Sequence, residues 1–139
     1  MTVLVDTNVV LDVLLKRHPF YKDSFVIFQF ANLKRIRGIL STASITDIFY
    51  IVRKQQRNTE EVYQMMDKIT ALFSIAPVSE KTITDALALR WKDFEDAVQC
   101  MTAIENSVDY IVTRNAQDFS SSHIPAVTSE QFIQIIADM

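Results

Sequence analysis

The sequence predicts an α/β fold with a mainly parallel central sheet, and three observations carry that expectation. Short continuous apolar runs, such as Val3-Leu4-Val5 and Tyr110-Ile111-Val112, have the length and character of strands buried on both faces. Between such runs apolar residues recur at helical spacing, so strands alternate with helices, the pattern of a parallel sheet. Finally, 139 residues at 49% hydrophobic content suffice for one core, and a single glycine and three prolines leave no segment with linker composition. One domain spanning residues 1–139 is expected.

The elements follow in order. Val3-Leu4-Val5 reads as a buried strand that stops at Asp6-Thr7-Asn8, after which Val9, Val10, Val13 and Leu14 lie on one helical face. A second helix is expected over about Phe20 to Leu33. Arg37-Gly38-Ile39-Leu40-Ser41-Thr42 offers a short strand, with the only glycine near its entry. Ser44 is expected to cap the next helix, marked by Ile45, Ile48, Phe49 and Val52. Asn58, followed by Glu61, signals another helix carrying Val62, Met65, Met66, Ile69 and Leu72. Phe73 to Val78 supplies a further short strand, Ser79 opens a helix through Ala86 and Leu89, and a helix from about Phe94 to Asn106 follows. Asp109 to Thr113 is a buried-strand signature, Ile124 to Thr128 a weaker one, and Ser129 is expected to cap the last helix.

A formal charge of −3 gives the whole molecule no attraction for polyanions, so nucleic-acid binding would rest on local basic patches or on bound metal. Cys100, the only cysteine, falls in an apolar helical pattern and reads as a buried structural thiol. The N-terminal apolar run is cut by Asp6 and Asp12 with no basic region before it, and no span is long enough to cross a bilayer, which makes cytoplasmic residence the expectation. Neither His18 nor His123 has a second zinc ligand at metal spacing; both read as loop residues.

In open parallel sheets the ligand crevice lies beyond the carboxyl ends of the strands, so Asp6, after the first strand, and Asp118, after the Val112-Thr113 strand end, should face one site. Asp47 lies one turn into its helix, where Ser44-x-x-Asp47 also resembles a capping box. Asp96 stands three residues after Asp93, itself a good helix cap. Each aspartate alone has an ordinary structural reading. Converging aspartates, however, suit a hard divalent cation, which takes a few carboxylates and keeps waters that a phosphate can replace. Such a cation needs neither a histidine nucleophile nor a phosphate-cradling glycine loop, and the sequence has neither.

Taken as an ordered set, Val3-Leu4-Val5-Asp6-Thr7-Asn8, Ser44-Ile45-Thr46-Asp47, Asp96-Ala97-Val98-Gln99 and Tyr110-Ile111-Val112-Thr113-Arg114-Asn115 with Asp118-Phe119 resemble the PIN-domain family, over almost the whole chain and especially its small VapC-type toxins. The resemblance implies a three-layer α/β/α sandwich and Mg²⁺- or Mn²⁺-dependent hydrolysis of RNA phosphodiesters. By position, Asp6, Asp47, Asp96 and Asp118 become the candidate catalytic acids, with Asp6, Asp96 and Asp118 the candidate metal ligands. Asp47 stands where the family more often has Glu, and Asn115 where it frequently has Asp. Asn8, Thr7, Thr113 and Asn115 are candidates for supporting the ligands from behind, with capping the favoured role for Thr7. Glu95 is left out of the metal ligands, because consecutive helical residues point about 100° apart and cannot easily face the same metal as Asp96. The resemblance also implies a cognate antitoxin and a homodimer.

Arg53, Lys54 and Arg57 share the Asp47 helix, and Arg114 lies closest to the proposed crevice; these four are the candidate RNA contacts, weighed against the plain reading of a solvated basic face. Trp91 and Phe94 read as core packing at the entry to the Asp96 helix, with an exposed interface as the alternative. Two rival readings have their own signatures. A haloacid-dehalogenase-like phosphatase needs a second aspartate at position 8, which here is Asn8. A catalytically silent PIN fold that only binds RNA or protein is motivated by Asp47 and Asn115.

Overall fold

The computed structural model describes residues 1–139. Strand β1 (Thr2–Val5) leads into helix α1 (Thr7–Leu14), α2 (Tyr21–Asn32) and β2 (Arg37–Ser41). Helices α3 (Thr42–Gln55) and α4 (Thr59–Leu72) precede β3 (Ser74–Ala76) and α5 (Glu80–Leu89). Then come α6 (Phe94–Glu105), β4 (Tyr110–Val112), a 3₁₀ turn (Ala116–Phe119), β5 (Ala126–Val127) and α7 (Ser129–Ala137). The five strands form one sheet in the order β3-β2-β1-β4-β5, every pairing parallel.

Alternation within each strand explains the three layers. Val3, Val5, Leu40 and Val112 face one core, which they share with residues of α1, α2, α3, α4 and α7. Leu4, Ile39 and Ile111 face the other, against Cys100 and Ala103 of α6 and Phe119 of the 3₁₀ turn. A sheet covered by helices on both faces has no solvent side, which is why its strands read as unbroken apolar runs. The α/β/α sandwich expected from the sequence is the fold observed. No helix is long and apolar enough to cross a membrane. Cys100 is buried as expected, its Sγ donating to Ser122 Oγ at 3.4 Å, and burial pushes its thiol upward in pKa.

Helix starts depart from the sequence expectation in three places. The cap of α3 is Ser41, whose Oγ accepts from Ser44 N at 3.0 Å, so Ser44 is free for another role. The cap of α7 is Thr128, in a reciprocal capping box with Gln131, rather than Ser129. And α1 is capped by Asp6, whose Oδ1 accepts from Thr7 N at 2.9 Å, so Thr7 is not the cap. In each stretch two or more neighbouring residues had capping chemistry, and the register of the preceding strand decided between them. Asn58, Ser79 and Asp93 cap α4, α5 and α6 as expected.

The carboxyl ends of β1 and β4 are neighbours, yet the chain leaves β1 toward β2 on the other side. This reversal of direction is the topological switch point, where a crevice opens beyond the strand ends.

Candidate active site: an acidic cleft at the switch point

A cleft of about 560 Å³ opens there, and its walls carry Asp6, Asp47, Asp93, Glu95, Asp96 and Asp118. The four aspartates singled out from the sequence therefore share one cavity, with Thr7, Asn8 and Asn115 also on its wall. Beyond Asp96 and Asp118 lies a second hollow, lined also by Trp91, Lys92, Asp93 and Ser121. Asp93, Asp96 and Asp118 are common to both, a ridge between two depressions.

Asp6 is the most firmly held of the acids. Its Oδ1 accepts from Thr7 N and from Gln99 Nε2 at 3.1 Å, and its Oδ2 accepts from Thr113 Oγ1 at 2.8 Å. A carboxylate has about four lone-pair sites, so the protein uses all but about one. Thr113 is fully buried and its hydroxyl also accepts from Asn115 N at 3.2 Å, which ties the loop after β4 to Asp6. The side chain of Thr7 bonds instead to Ser44, with the two hydroxyl oxygens 2.7 Å apart. Ser44 Oγ accepts from Gln99 Nε2 at 3.0 Å and from Ser41 Oγ at 3.2 Å. With both lone pairs engaged, it donates its own proton to Thr7.

Gln99 is thus the hinge of a buried polar network that joins β1, α3 and α6. It is 4% exposed, and its Oε1 is the one buried side-chain nitrogen or oxygen without a hydrogen-bond partner. Leaving a buried carbonyl unpaired costs on the order of 1–3 kcal/mol, so this atom requires explanation. In the sequence Gln99 closes the Asp96-Ala97-Val98-Gln99 motif, but nothing in that motif marked its side chain as functional.

The remaining acids crowd one another. Burial, then the charges of Asp93, Asp6, Asp118 and Glu95, push the Asp96 carboxyl up from 3.8 to about 7. Glu95 is raised as well, by burial and then by the charge and hydrogen-bonding proximity of Asp47. Glu95 also lines the cleft, beside Asp47. Asp47 faces the same cavity, and with Ser41 as the cap its capping alternative falls away. No group of three or more His, Cys, Asp or Glu side chains is arranged to hold a metal ion as ligands: the acids line the walls without converging on one point.

Arg114 is placed differently from its expected role. Its guanidinium makes a bidentate pair with Asp12, which is 0% exposed, through Nε at 2.8 Å and through Nη2, and it lies 4.0 Å over the ring of Phe20. That is a structural tie between the β4 loop and α1 rather than a free cation over the crevice. Arg53, Lys54 and Arg57 are exposed, none in an ion pair and none on the cleft wall; Lys54 sits 4.4 Å over the ring of Tyr50, which does line the cleft. Trp91 packs edge-on against Phe119 as core, but Phe94 is 43% exposed on the cleft wall, a correction to its reading as core. His18 and His123 lie in loops, as expected.

Fold and site together define an α/β protein with a carboxylate-lined cleft at the switch point of a parallel sheet. A family model described as the PIN domain matches residues 2–117, and the chain belongs to that family. A search of the curated proteins gives no significant match. Among solved structures the chain is similar to VapBC2 from Rickettsia felis bound to a promoter DNA fragment, at 17% identity and a TM-score of 0.69, covering 92% of this chain and 98% of the other. It is also similar to a toxin-antitoxin complex from Klebsiella pneumoniae, at 20% identity and a TM-score of 0.67, covering 91% and 97%. A third similar structure is VapC20 from Mycobacterium tuberculosis, a sarcin-ricin loop cleaving toxin, at 10% identity and a TM-score of 0.60, covering 78% and 86%.

Proposed function

We propose that this protein is a Mg²⁺- or Mn²⁺-dependent ribonuclease that hydrolyses RNA phosphodiester bonds, and that it is the toxin of a toxin-antitoxin pair. The observation that carries the reading is the gathering of Asp6, Asp47, Asp96 and Asp118 on the walls of one cleft, where burial and then the charges of Asp93, Asp6, Asp118 and Glu95 raise Asp96 to about 7. Membership of the PIN family and the toxin-antitoxin complexes among similar structures support it.

The donor set fits a hard divalent cation: carboxylate oxygens of Asp6, Asp96 and Asp118, with Asp47 and the neutral oxygen of Gln99 at hand. A bound cation would supply Lewis-acid polarisation of the phosphodiester and activation of water. The protein's own residues do the rest. Thr7, Gln99 and Thr113 fix Asp6 in one orientation, while Asp47, Asp96 and Asp118, less buried, retain the rotamer freedom to close on a charge. Like-charge repulsion among these acids is relieved by protonation at lower pH or by a cation, since the cleft has no lysine or arginine on its wall. On either side of the Asp96 and Asp118 ridge the walls offer Tyr50 and Phe94, and Trp91 with Lys92, the aromatic and cationic groups that hold a single strand by stacking and phosphate contact.

An antitoxin segment that brought a lysine or arginine into the cleft would compete for the same carboxylates, giving inhibition an electrostatic basis. The reading includes a homodimer and a cytoplasmic setting, as for the toxins it resembles. The test is cleavage of a pool of single-stranded and structured RNA with Mg²⁺, Mn²⁺ or EDTA, with Asp96→Asn alongside. Cation-dependent cleavage lost in the variant is expected; equal activity in both would point to a contaminant and sink the assignment. A silent RNA-binding module is the second reading, favoured by the neutral amide at Asn115. RNA binding without cleavage, unchanged in Asp6→Asn, would select it.

A further inference from the structure

We infer that Gln99 is a member of the cation site: its Nε2 fixes Asp6, and its Oε1 is a neutral oxygen donor offered to the bound cation or its hydration shell. This rests on the reading of the cleft as a divalent-cation site. Three observations carry it. The side chain is 4% exposed, yet it lines the acidic cleft beside Asp6 and Asp96. Both protons of its amide nitrogen are committed, one to Asp6 Oδ1 at 3.1 Å and one to Ser44 Oγ at 3.0 Å. Those two bonds fix which end of the amide is which, since the opposite assignment would set a carbonyl oxygen against the Asp6 carboxylate.

The Oε1 atom is then left as a buried acceptor with no donor from the protein. Buried polar atoms are paired in nearly all folded proteins, and a persistent exception points to a bound ion or water as the partner. Here the donor chemistry selects the cation. A neutral carbonyl adds an oxygen to the set without adding another negative charge to a cleft already lined by Asp6, Asp47, Asp93, Glu95, Asp96 and Asp118. The same amide therefore does two things for one site. It turns Asp6 toward the cleft by donating, and completes the oxygen set by accepting.

The experiment is Mn²⁺ binding to the purified protein at pH 8, read by the electron paramagnetic resonance signal of free Mn²⁺, together with the metal-free melting temperature. Wild type, Gln99→Met, Gln99→Glu and Asp6→Asn are compared. Gln99→Met matches the volume and deletes both amide functions. It is expected to weaken Mn²⁺ binding by about 10- to 100-fold, while its metal-free melting temperature stays within a few degrees of wild type because the unpaired acceptor has gone. Gln99→Glu retains an oxygen at the same place and is expected to bind Mn²⁺ at least as tightly as wild type, with a lower metal-free melting temperature. A Gln99→Met protein that binds within twofold of wild type overturns the inference and leaves the metal reading of the cleft intact. If Gln99→Met does not fold, a tenfold loss of binding in Gln99→Glu overturns it instead. Wild type that binds no Mn²⁺ at millimolar concentration, like Asp6→Asn, overturns the cation reading itself and this inference with it.

Discussion

Replacing Asp96 by Asn should change the pH dependence of stability in a direction opposite to the usual effect of a carboxylate. Asp96 holds its proton up to about pH 7 when folded, against 3.8 as an ordinary aspartate. Between about pH 4 and pH 7 the native state therefore binds more protons than the unfolded chain. Stability falls as pH rises through that window and the full penalty is present above it. At about 1.36 kcal/mol for each factor of ten, the move from 3.8 to about 7 is worth about 4 kcal/mol at face value. The carboxyl is only half-buried, and solvent screening cuts this to on the order of 1–2 kcal/mol. For a domain of this size that corresponds to a melting-temperature change of about 4–8 °C. Asn removes the charge and leaves the backbone N–H of residue 96 donating to Asp93. The quantity to measure is the melting temperature of wild type minus that of Asp96→Asn, in EDTA, from pH 4 to pH 8. Other carboxylates titrate in both proteins and largely cancel. The difference should fall with pH by those few degrees, and millimolar Mg²⁺ should restore it at pH 8 far more than at pH 5, because the cation competes with the proton. A difference that is flat or rises with pH would refute the argument that like-charge crowding governs this cleft.

The Asp12 pair gives a second prediction: Arg114→Met should destabilise by up to about 3–5 kcal/mol in urea unfolding by leaving a fully buried carboxylate with only Arg17, 3.9 Å away, as its partner, and adding Asp12→Leu should recover most of it; a loss below about 1 kcal/mol would place Arg114 among solvated surface cations. At Gly38, a Cβ would lie 2.4 Å from Phe73 Cδ1, so Gly38→Ala should cost about 1–3 kcal/mol. Combining it with Phe73→Leu should cost less than the two changes summed, and simple additivity would show that the ring moves aside freely. Under the ribonuclease reading, Tyr50→Ala and Phe94→Ala should each raise KM for single-stranded RNA by about 5- to 100-fold through loss of stacking worth about 1–3 kcal/mol, with folding intact; unchanged KM in both would remove the aromatic walls from substrate binding.

Much of the fold was legible because its physics is local. Val3 to Val5 and Tyr110 to Val112 announce strands buried on both faces, and Asn58, Ser79 and Asp93 announce helix starts by side-chain chemistry alone. Asp6 and Asp118 could be placed at one end of the sheet because parallel strands deliver their following residues to the same edge, whereas Asp47 and Asp96 joined them only through the resemblance of the ordered motifs. What was not legible depends on contacts distant in sequence. Arg114 looked like a free cation beside the crevice until Asp12, 102 residues away, claimed it. Phe94 looked like core because periodicity cannot tell the last buried turn of a helix from one that overhangs a cleft.

The buried network behind Asp6 shows why those distant contacts matter for function. A carboxylate on the first residue after a strand has, by itself, the freedom of any turn aspartate. Here Thr7 from its own helix, Gln99 from α6 and Thr113 from the β4 loop approach it from three directions, and Ser44 from α3 locks both Thr7 and Gln99. Each partner belongs to a different element, so the orientation of Asp6 is fixed only once the sheet has assembled with helices on both faces. The exposed acids are held far less tightly: Asp118 and Glu95 take no hydrogen bond from a backbone, hydroxyl, amide or cationic donor, and Glu95 has only Asp47 beside it. A firmly held acid at the strand end with more exposed acids on the cleft wall is an arrangement in which an incoming cation finds one anchored ligand and gathers the rest. The order this predicts for metal loss is specific: Asp6→Asn should abolish Mn²⁺ binding, while Asp118→Asn should weaken it without abolishing it. The reverse order in a Mn²⁺ titration would show that the loop acids, and not the strand-end aspartate, nucleate the site.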